Sequence, residues 1–286
     1  MSEKLRGAPV AAALNEKTAA AVAGLSTRGI VPGLAILRVG VRPDDIAYEQ
    51  SAERRCAALG IAVRRVTLPA GASQEALTEA IERLNADDTV HGILLLRPLP
   101  EGLDEKAAVG ALAPEKDVDG VTGVSLAGVF TGSGAGFPPC TARSCMEILR
   151  HYGVPVAGKR AVVLGRSLVI GRPIAAMLLA ADATVTVCHS KTADIPALCR
   201  AADIVVAATG RPESVGREHL SKGQVVLDVG MSWSEKKQKL CGDVDPDAAE
   251  LTGAFTPVPG GVGTVTAAVL AAHVAEAAER IKPETV

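Results

Sequence analysis

The stretch VVLGRSLVIGRP, residues 162–173, decides the fold that we predict for this chain. An apolar run ends at Gly165, and a helical pattern starts at Gly171. A buried strand that passes through glycines into a helix is where the phosphates of a dinucleotide meet backbone N–H groups and the positive end of a helix. Because Ser167 takes the place of the second glycine of GxGxxG, an ordinary strand–helix turn remains the alternative interpretation.

Apolar runs and helical patterns alternate on both sides of this stretch. The predicted strands outside it are GLAILRVG (33–40), IAVRRVTL (61–68), GILLLRPL (92–99), ATVTVC (183–188), DIVVAATG (203–210) and VVLDVG (225–230). Strands that alternate with helices predict βα units and mostly parallel sheets. Residues 121–139 interrupt the alternation with glycines and prolines, and we interpret them as the connection between two α/β domains. Residues 264–281 have the pattern of a long Ala-rich amphipathic helix.

Composition excludes several classes of function. The 286 residues are 48% hydrophobic and 2% aromatic, with a formal net charge of −2, which argues against surfaces that bind nucleic acid. The six cysteines show no zinc-like spacing, so we expect reduced core thiols and no metal site. We also expect a cytoplasmic protein that does not bind membranes, because the chain shows neither a signal sequence nor an apolar run of membrane-spanning length.

The residues near the predicted phosphate loop bear on the choice of cofactor. NAD-binding proteins usually carry Asp or Glu at the end of the second strand, where the carboxylate holds the ribose hydroxyls. Here these positions are Ser190 and Lys191, and Arg166 lies in the turn itself. A carboxylate would repel a 2′-phosphate, whereas Arg and Ser can bind one. We therefore predict NADP; the alternative is that Arg166 and Lys191 are solvated surface charges.

A second glycine-rich segment, FTPVPGGVGTVT (255–266), precedes the last helix. Glycines allow the backbone to approach a planar ligand closely, and prolines stiffen the loop. The alternative is a simple entry turn into the helix, and the segment by itself identifies no ligand.

Taken together, these segments resemble the bifunctional methylenetetrahydrofolate dehydrogenase/cyclohydrolase family, and the resemblance covers nearly the whole chain. The matching stretches are VG (39–40), Tyr48, PLP (98–100), KDVDG (116–120), PCT (139–141), GRSLVIGRP (165–173), CHSKT (188–192), DVG (228–230), GDVD (242–245) and TPVPGGVG (256–263). The resemblance implies a folate domain over 1–139, completed by a C-terminal helix over 266–286, and a Rossmann NADP-binding domain over 140–265. It also implies a homodimer that oxidises 5,10-methylenetetrahydrofolate and hydrolyses the methenyl product.

The resemblance assigns roles to individual residues. Gly165, Arg166 and Ser167 are expected to hold the cofactor phosphates, Ser190 with Arg166 to favour the 2′-phosphate, and Met231 to lie near the nicotinamide. Asp119 is expected to hydrogen-bond the pterin, Tyr48 to pack on the substrate, and Pro259 and Gly260 to wall the folate pocket. Tyr48 and Asp119 are thus the candidate catalytic residues. For Asp119 alone, a loop or capping carboxylate is the alternative.

The chain departs from the family at the site of hydrolysis. The family pattern is Tyr-x-x-x-Lys, yet the residue four positions after Tyr48 is Ala52, and Leu96 stands where the family has Gln. Hydride transfer depends largely on positioning, whereas hydrolysis also needs proton transfer, so hydrolysis should be weak or absent. Arg55 and Arg97 could each supply positive charge near the folate, but arginine stays protonated and is a poor proton shuttle.

Three functions are consistent with these observations. The leading hypothesis is an NADP-dependent methylenetetrahydrofolate dehydrogenase with little cyclohydrolase activity. A non-catalytic folate- or nucleotide-binding paralogue is the second. The third is an NADP oxidoreductase whose altered pocket accepts another substrate.

Overall fold

The computed structural model describes residues 2–235 and 237–280. The chain divides into two compact units. Of the described residues, the N-terminal unit comprises Ala13–Cys140 together with 267–280, and the C-terminal unit comprises 2–12 together with 141–266. Each unit contains a parallel sheet flanked by helices, as the alternation of strands and helices predicted.

The strands, in chain order, are β1 (Glu3–Lys4), β2 (Gly33–Val39), β3 (Ala62–Leu68), β4 (Gly92–Leu95), β5 (Arg160–Leu164), β6 (Thr184–Cys188), β7 (Ile204–Ala207), β8 (Val225–Asp228), β9 (Ser232–Ser234), β10 (Lys239–Cys241) and β11 (Ala254–Phe255). The helices are α1 (Gly7–Ser26), α2 (Pro43–Ala58), α3 (Gln74–Asn85), α4 (Glu105–Ala111), α5 (Gly123–Thr131), α6 (Cys140–His151), α7 (Gly171–Ala180), α8 (Ile195–Arg200), α9 (Pro246–Ala249) and α10 (Val262–Arg280). Short 3-10 turns occupy Pro114–Lys116 and Arg217–His219.

The sheet of the N-terminal unit has the strand order β3-β2-β4, and all of its pairings are parallel. Every residue of β2 is buried, because a central strand of a parallel sheet is covered on both faces. After β2 the chain forms β3 on one side and then β4 on the other. The order of the strands therefore reverses beside β2, and in open α/β sheets ligands bind at the carboxyl ends of strands at such a point.

Helix α2 begins with a proline. Its first residue is Pro43, and the N-cap Arg42 makes no side-chain hydrogen bond. Proline suits the first helical position because its backbone angle is already helical and no N–H is lost there. The two aspartates lie in the first turn, where negative charge interacts favourably with the helix dipole.

A buried ion pair attaches α2 to the sheet. The carboxylate of Glu49, 2% exposed, lies 3.1 Å from Arg38 Nε on β2 and 3.6 Å from Arg65 Nε on β3. Arg38 also donates to the hydroxyl of Thr67. Because Glu49 directly follows Tyr48 in the chain, this pair fixes the part of α2 that carries the tyrosine.

The last helix is buried on nearly every side instead of being amphipathic. Between Ala268 and Ala278 only Glu276 is not buried. A helix surrounded by protein is apolar all round, and an alanine-rich sequence of this kind is easily mistaken for a two-sided one. His273 Nδ1 lies 2.7 Å from the carbonyl oxygen of Val118, and Arg280 stacks 4.1 Å from the Phe137 ring. The end of the predicted helix, residues 281–286, lies outside the described residues.

The segment 121–139 is not simply a connection between domains. It contains α5 and belongs to the N-terminal unit. The fully buried Asp117 carboxylate organises its start, accepting hydrogen bonds from Thr122 N at 2.8 Å and from Ser125 Oγ at 2.6 Å. The glycines and prolines that suggested a linker follow this helix, where Phe137 returns to the core with 1% exposure.

The sheet of the C-terminal unit has the order β1-β11-β8-β7-β5-β6, again with parallel pairings. The chain passes from β5 to β6 on one side and then returns to place β7 on the other side of β5. This is the Rossmann-type arrangement that the sequence predicted, and its switch point lies between the carboxyl ends of β5 and β7.

The first residues of the chain belong to this second sheet, although we assigned them to the domain spanning 1–139. Glu3 pairs with Ala254, and Leu5 N donates to the carbonyl oxygen of Phe255 at 2.8 Å. A strand of only two residues, Glu3–Lys4, has no periodicity that a sequence analysis could detect. The antiparallel pair β9–β10 was not predicted either, and its strands have three residues each.

The cysteines agree with the expectation of core thiols. All six cysteines are buried thiols. Within the described ranges, no helix combines the length and the hydropathy needed to cross a membrane.

The role of α10 in the N-terminal unit can be tested with a single cavity-forming substitution. Leu270 is 1% exposed, so Leu270→Ala should lower the free energy of unfolding by about 2–5 kcal/mol. Leu179→Ala on α7 is the matched control, because Leu179 is 62% exposed and its truncation should cost less than about 0.5 kcal/mol. Urea unfolding followed by circular dichroism measures both values. Equal values for the two variants would contradict the buried position of α10.

Candidate cofactor and substrate sites

A cavity of about 460 Å³ opens at the switch point of the C-terminal sheet. Its lining comes from the carboxyl ends of β5, β6 and β7 and from the segments that follow them. The lining residues are Leu164, Gly165, Arg166, Ser167, Cys188, His189, Ser190, Ile195, Ala208, Thr209, Arg211, Ser214, Val215 and His219. The structure therefore brings together Gly165, Arg166, Ser167 and Ser190, which the sequence analysis expected to bind the cofactor.

Two glycines shape the loop at this cavity. Gly165 has a φ of +126°, and a Cβ there would lie 2.2 Å from the carbonyl oxygen of Ala208. A Cβ on Gly171 would lie 2.3 Å from the carbonyl oxygen of Gly165. The loop thus crosses over itself and over the end of β7 at distances that only glycine allows. Ser167 is exposed, and its hydroxyl accepts a hydrogen bond from Ile170 N at 3.3 Å within the loop.

The lining of the cavity carries positive charge. Arg166 and Arg211 contribute guanidinium groups, and among the described lining residues there is no Asp or Glu. Backbone N–H groups at the start of α7 add further positive potential. Such a cavity suits a ligand with several phosphates, and it lacks the carboxylate that would repel a 2′-phosphate.

Two residues that were linked to the cofactor do not line this cavity. Lys191 follows Ser190 but lies outside the described lining, so the alternative interpretation as a surface charge remains for it. Met231, which follows the strand β8, is 63% exposed and also lies outside it. Its position near the nicotinamide therefore stays a prediction.

Two buried carboxylates organise the loops beside the cavity, and the sequence analysis gave neither a role. Asp243 is fully buried and accepts hydrogen bonds from Thr209 N and, at 3.0 Å, from Gly210 N. Asp228 accepts from the backbone N–H groups of Gly230, Asp243 and Val244 at 2.9–3.0 Å. Burial raises the pKa of Asp228 to about 7. The motifs DVG and GDVD, which contain the two aspartates, are visible in the sequence. Their separation along the chain does not indicate that the two loops meet.

In the N-terminal unit, polar residues gather beside its own switch point. Arg97 Nη2, just after β4, lies 3.6 Å from Asp119 Oδ2. Burial raises the pKa of Asp119 to about 6 despite the opposing effect of Arg97. Desolvation of the Tyr48 phenol raises its pKa above the usual value, and the Asp119 carboxylate raises it further. Tyr48 as a whole is nevertheless 39% exposed. Tyr48 and Asp119 therefore belong to one electrostatic cluster.

The two positions that depart from the family pattern are apolar and buried. Ala52 on α2 is 2% exposed, and Leu96 after β4 is 7% exposed. An ammonium group at either position would lose most of its hydration. Of the two arginines considered as substitutes, Arg97 makes an ion pair with the candidate substrate residue Asp119, and Arg55 affects the cluster by lowering the pKa of Tyr48.

The glycine-rich loop before α10 belongs to the C-terminal unit. Gly260 has a φ of +101°, and its carbonyl oxygen accepts a hydrogen bond from Gly7 N at 2.8 Å. Pro259 and Gly260 are exposed, and Pro259 also lines a cavity of about 390 Å³ together with Asp228 and Thr256. Their contact with folate, which the resemblance implied, stays a prediction. Within residues 2–235 and 237–280, no group of three or more His, Cys, Asp or Glu side chains is arranged to hold a metal ion.

Two family models match this chain. The first, the catalytic domain of tetrahydrofolate dehydrogenase/cyclohydrolase, matches residues 5–119, and the second, the NAD(P)-binding domain of the same proteins, matches residues 139–282. Together they cover most of the sequence.

Individual relatives are similar over the same length. The bifunctional protein FolD of Carboxydothermus hydrogenoformans is 47% identical over 281 residues, which cover 98% of each chain. The structure of a bifunctional FolD methylenetetrahydrofolate dehydrogenase/cyclohydrolase from Campylobacter jejuni has a TM-score of 0.94, 35% identity, and covers 98% of this chain and 99% of its own. The Trypanosoma brucei enzyme, complexed with NADP cofactor and inhibitor, has a TM-score of 0.90, 38% identity, and 98% coverage of both chains. The chain belongs to the tetrahydrofolate dehydrogenase/cyclohydrolase family.

Proposed function

We propose that this protein is an NADP-dependent methylenetetrahydrofolate dehydrogenase of one-carbon folate metabolism, which oxidises 5,10-methylenetetrahydrofolate to the methenyl form. The observation that carries the proposal is the cavity at the β5–β7 switch point, with its glycine crossing and its positive lining. Solved structures that match along nearly the whole chain are named as methylenetetrahydrofolate dehydrogenase/cyclohydrolases. A non-catalytic paralogue, or an oxidoreductase for another substrate, is therefore not favoured.

The residues of the cavity fit NADP. Gly165, where a Cβ would collide with Ala208, lets the backbone approach the pyrophosphate, with Ser167 beside it. Arg166 and Ser190 would bind the 2′-phosphate through charge-assisted and neutral hydrogen bonds. Met231, exposed after β8, would contact the nicotinamide end. NADP supplies the hydride acceptor, and the contribution of the chain to the oxidation is mainly to position the two reactants.

The folate would be bound by the cluster in the N-terminal unit. Asp119, ionised above its pKa of about 6, accepts hydrogen bonds from the amino-pyrimidine edge of the pterin. Tyr48, partly exposed on a helix that the Glu49–Arg38 pair attaches to the sheet, packs on the ring.

Hydrolysis of the methenyl product should be slow. Ala52 and Leu96 supply no group that could activate water or carry a proton, and both are buried. The family pattern places Lys and Gln there, so the protein would be chiefly a dehydrogenase. The family resemblance further supports a homodimer located in the cytoplasm.

The choice of NADP depends on Arg166. Arg166→Ala should weaken NADP binding by ~1–3 kcal/mol, which is about 5–150-fold in the dissociation constant, and should affect NAD much less. Arg172→Ala is the matched control, because Arg172 is also exposed near the start of α7 but lies outside the cavity lining. Calorimetric titration with each cofactor measures both variants. An equal loss for NADP and NAD would show that Arg166 does not contact the 2′-phosphate.

The loss of hydrolysis can be tested by restoring the family residues. Ala52→Lys alone should help only slightly, because a buried lysine without a hydrogen-bonding partner is costly to desolvate. Ala52→Lys with Leu96→Gln should accelerate methenyl decay more than the two single changes combined, as expected of residues that act as a unit. The rate of methenyltetrahydrofolate decay at fixed pH is the measurement, and NADPH formation is followed separately.

A double variant without the charge, Ala52→Met with Leu96→Gln, controls for the added side-chain volume. It should leave methenyl decay at the wild-type rate, which we expect to be close to that in buffer. Rapid hydrolysis by the wild-type protein would contradict the proposal that Ala52 and Leu96 have removed this activity.

A further inference from the structure

Arg97 is held in place by two carboxylates. Its Nη1 lies 3.2 Å from Glu105 Oε1, and its Nη2 lies 3.6 Å from Asp119 Oδ2. Glu105 is itself fixed, because its other oxygen accepts a hydrogen bond from Leu99 N at 3.3 Å. The Arg97 side chain is 20% exposed, and that of Asp119 is 27% exposed. An arginine constrained in this way presents its remaining N–H groups in a fixed direction, beside the candidate substrate residue.

The edge of a pterin needs both kinds of partner. Its amino group and ring N–H donate hydrogen bonds, while the neighbouring 4-oxo group accepts one. A carboxylate can accept the two donated bonds, but it cannot donate to the oxygen and would repel it. A guanidinium next to the carboxylate supplies the missing donor, so an adjacent Asp–Arg pair is complementary to the whole edge.

We propose that Arg97 is a specificity-determining residue that donates a hydrogen bond to the 4-oxo group of the pterin while Asp119 accepts from its amino and ring N–H groups. This inference rests on the proposed function, since it assumes that the N-terminal unit binds a folate. It adds to that function a residue that distinguishes 4-oxopterins from 4-aminopterins.

The charges around Asp119 give a second consequence. The neighbouring groups are Arg97, Asp117 on the same loop, Cys140 at the start of α6, and Tyr48 on α2. Arg97 lowers the pKa of Asp119, whereas burial and Asp117 raise it. Asp119 must be ionised to accept both bonds, so folate binding should be lost as the pH falls through its pKa. Without Arg97 that pKa is higher, and the loss should occur at a higher pH.

The test compares folic acid, a 4-oxopterin, with aminopterin, its 4-amino analogue, by calorimetric titration. The wild-type protein should prefer folic acid, because Arg97 would face a second donor in aminopterin. Arg97→Met should reduce this preference at least about tenfold, mainly through weaker folic acid binding. It should also move the acid limit of folic acid binding to higher pH. NADP affinity should not change, which shows that the variant is folded.

Two further variants separate charge from geometry. Arg97→Lys keeps the charge without the fork of donors and should give an intermediate preference. Glu105→Gln keeps an acceptor for Leu99 N but removes the charge that holds Arg97, so it should weaken the preference without raising the acid limit. Arg83→Met is the matched control: Arg83 is an exposed arginine of α3, paired with Glu79 at 3.9 Å, and its loss should change neither ligand.

The outcomes distinguish this inference from the function on which it rests. If Arg97→Met weakens folic acid and aminopterin equally, or weakens neither, the inference is wrong while folate binding stands. If the wild-type protein binds folic acid no better than aminopterin, Arg97 does not select the 4-oxo group. If it binds neither compound, the inference is wrong, and if it also forms no NADPH from 5,10-methylenetetrahydrofolate, the proposed function fails as well.

Discussion

The two parallel sheets depend on one topological constraint: the next two strands in the chain pair with a central strand on its opposite sides. In the N-terminal unit these are β3 and β4 around β2, and in the C-terminal unit β6 and β7 around β5. Because crossovers between parallel strands are right-handed, the two connecting segments leave the sheet toward opposite faces and a crevice remains between them. The phosphate loop and the Arg97–Asp119 pair each lie at the carboxyl end of such a central strand or of its neighbour, so both candidate sites follow from the same rule of connection.

Buried carboxylates stabilise the loops that border these crevices. Asp117, Asp228 and Asp243 accept hydrogen bonds from backbone N–H groups of these loops. Glu49 attaches α2 to β2 through its ion pair with Arg38. Leaving such groups without a partner costs about 1–3 kcal/mol each, so the loops are held in place without regular secondary structure. The charged side chains that line the C-terminal cavity are Arg166 and Arg211. In the N-terminal unit, Arg97 forms ion pairs with Glu105 and Asp119.

The sequence predicted the parts of this structure that repeat a pattern over several residues. The strands β2, β5 and β7 could be identified because a continuous apolar run between helical segments is typical of a strand buried on both faces. Glu3–Lys4 could not be assigned, since two residues show no period, and α10 was misread because alanine fits a buried and a half-buried helix equally well. Of the residues that line the candidate cofactor cavity, Gly165, Arg166 and Ser190 were singled out from local context, whereas Arg211 and His219 were not, because they reach the cavity from loops far along the chain. The pairing of Arg97 with Asp119 likewise depends on tertiary structure.

Each unit includes a segment from the opposite end of the sequence, and this limits which parts can fold during synthesis. Residues 2–12 belong to the unit formed from the later part of the sequence, while residues 267–280 belong to the unit formed from the earlier part. A ribosome synthesises proteins from the N-terminus, and domains that are contiguous in sequence can fold as they emerge. Here the N-terminal unit includes most of α10, which is synthesised only after the whole C-terminal unit. The core around β2 and β4 can therefore be completed only after residues 267–280 have left the ribosome.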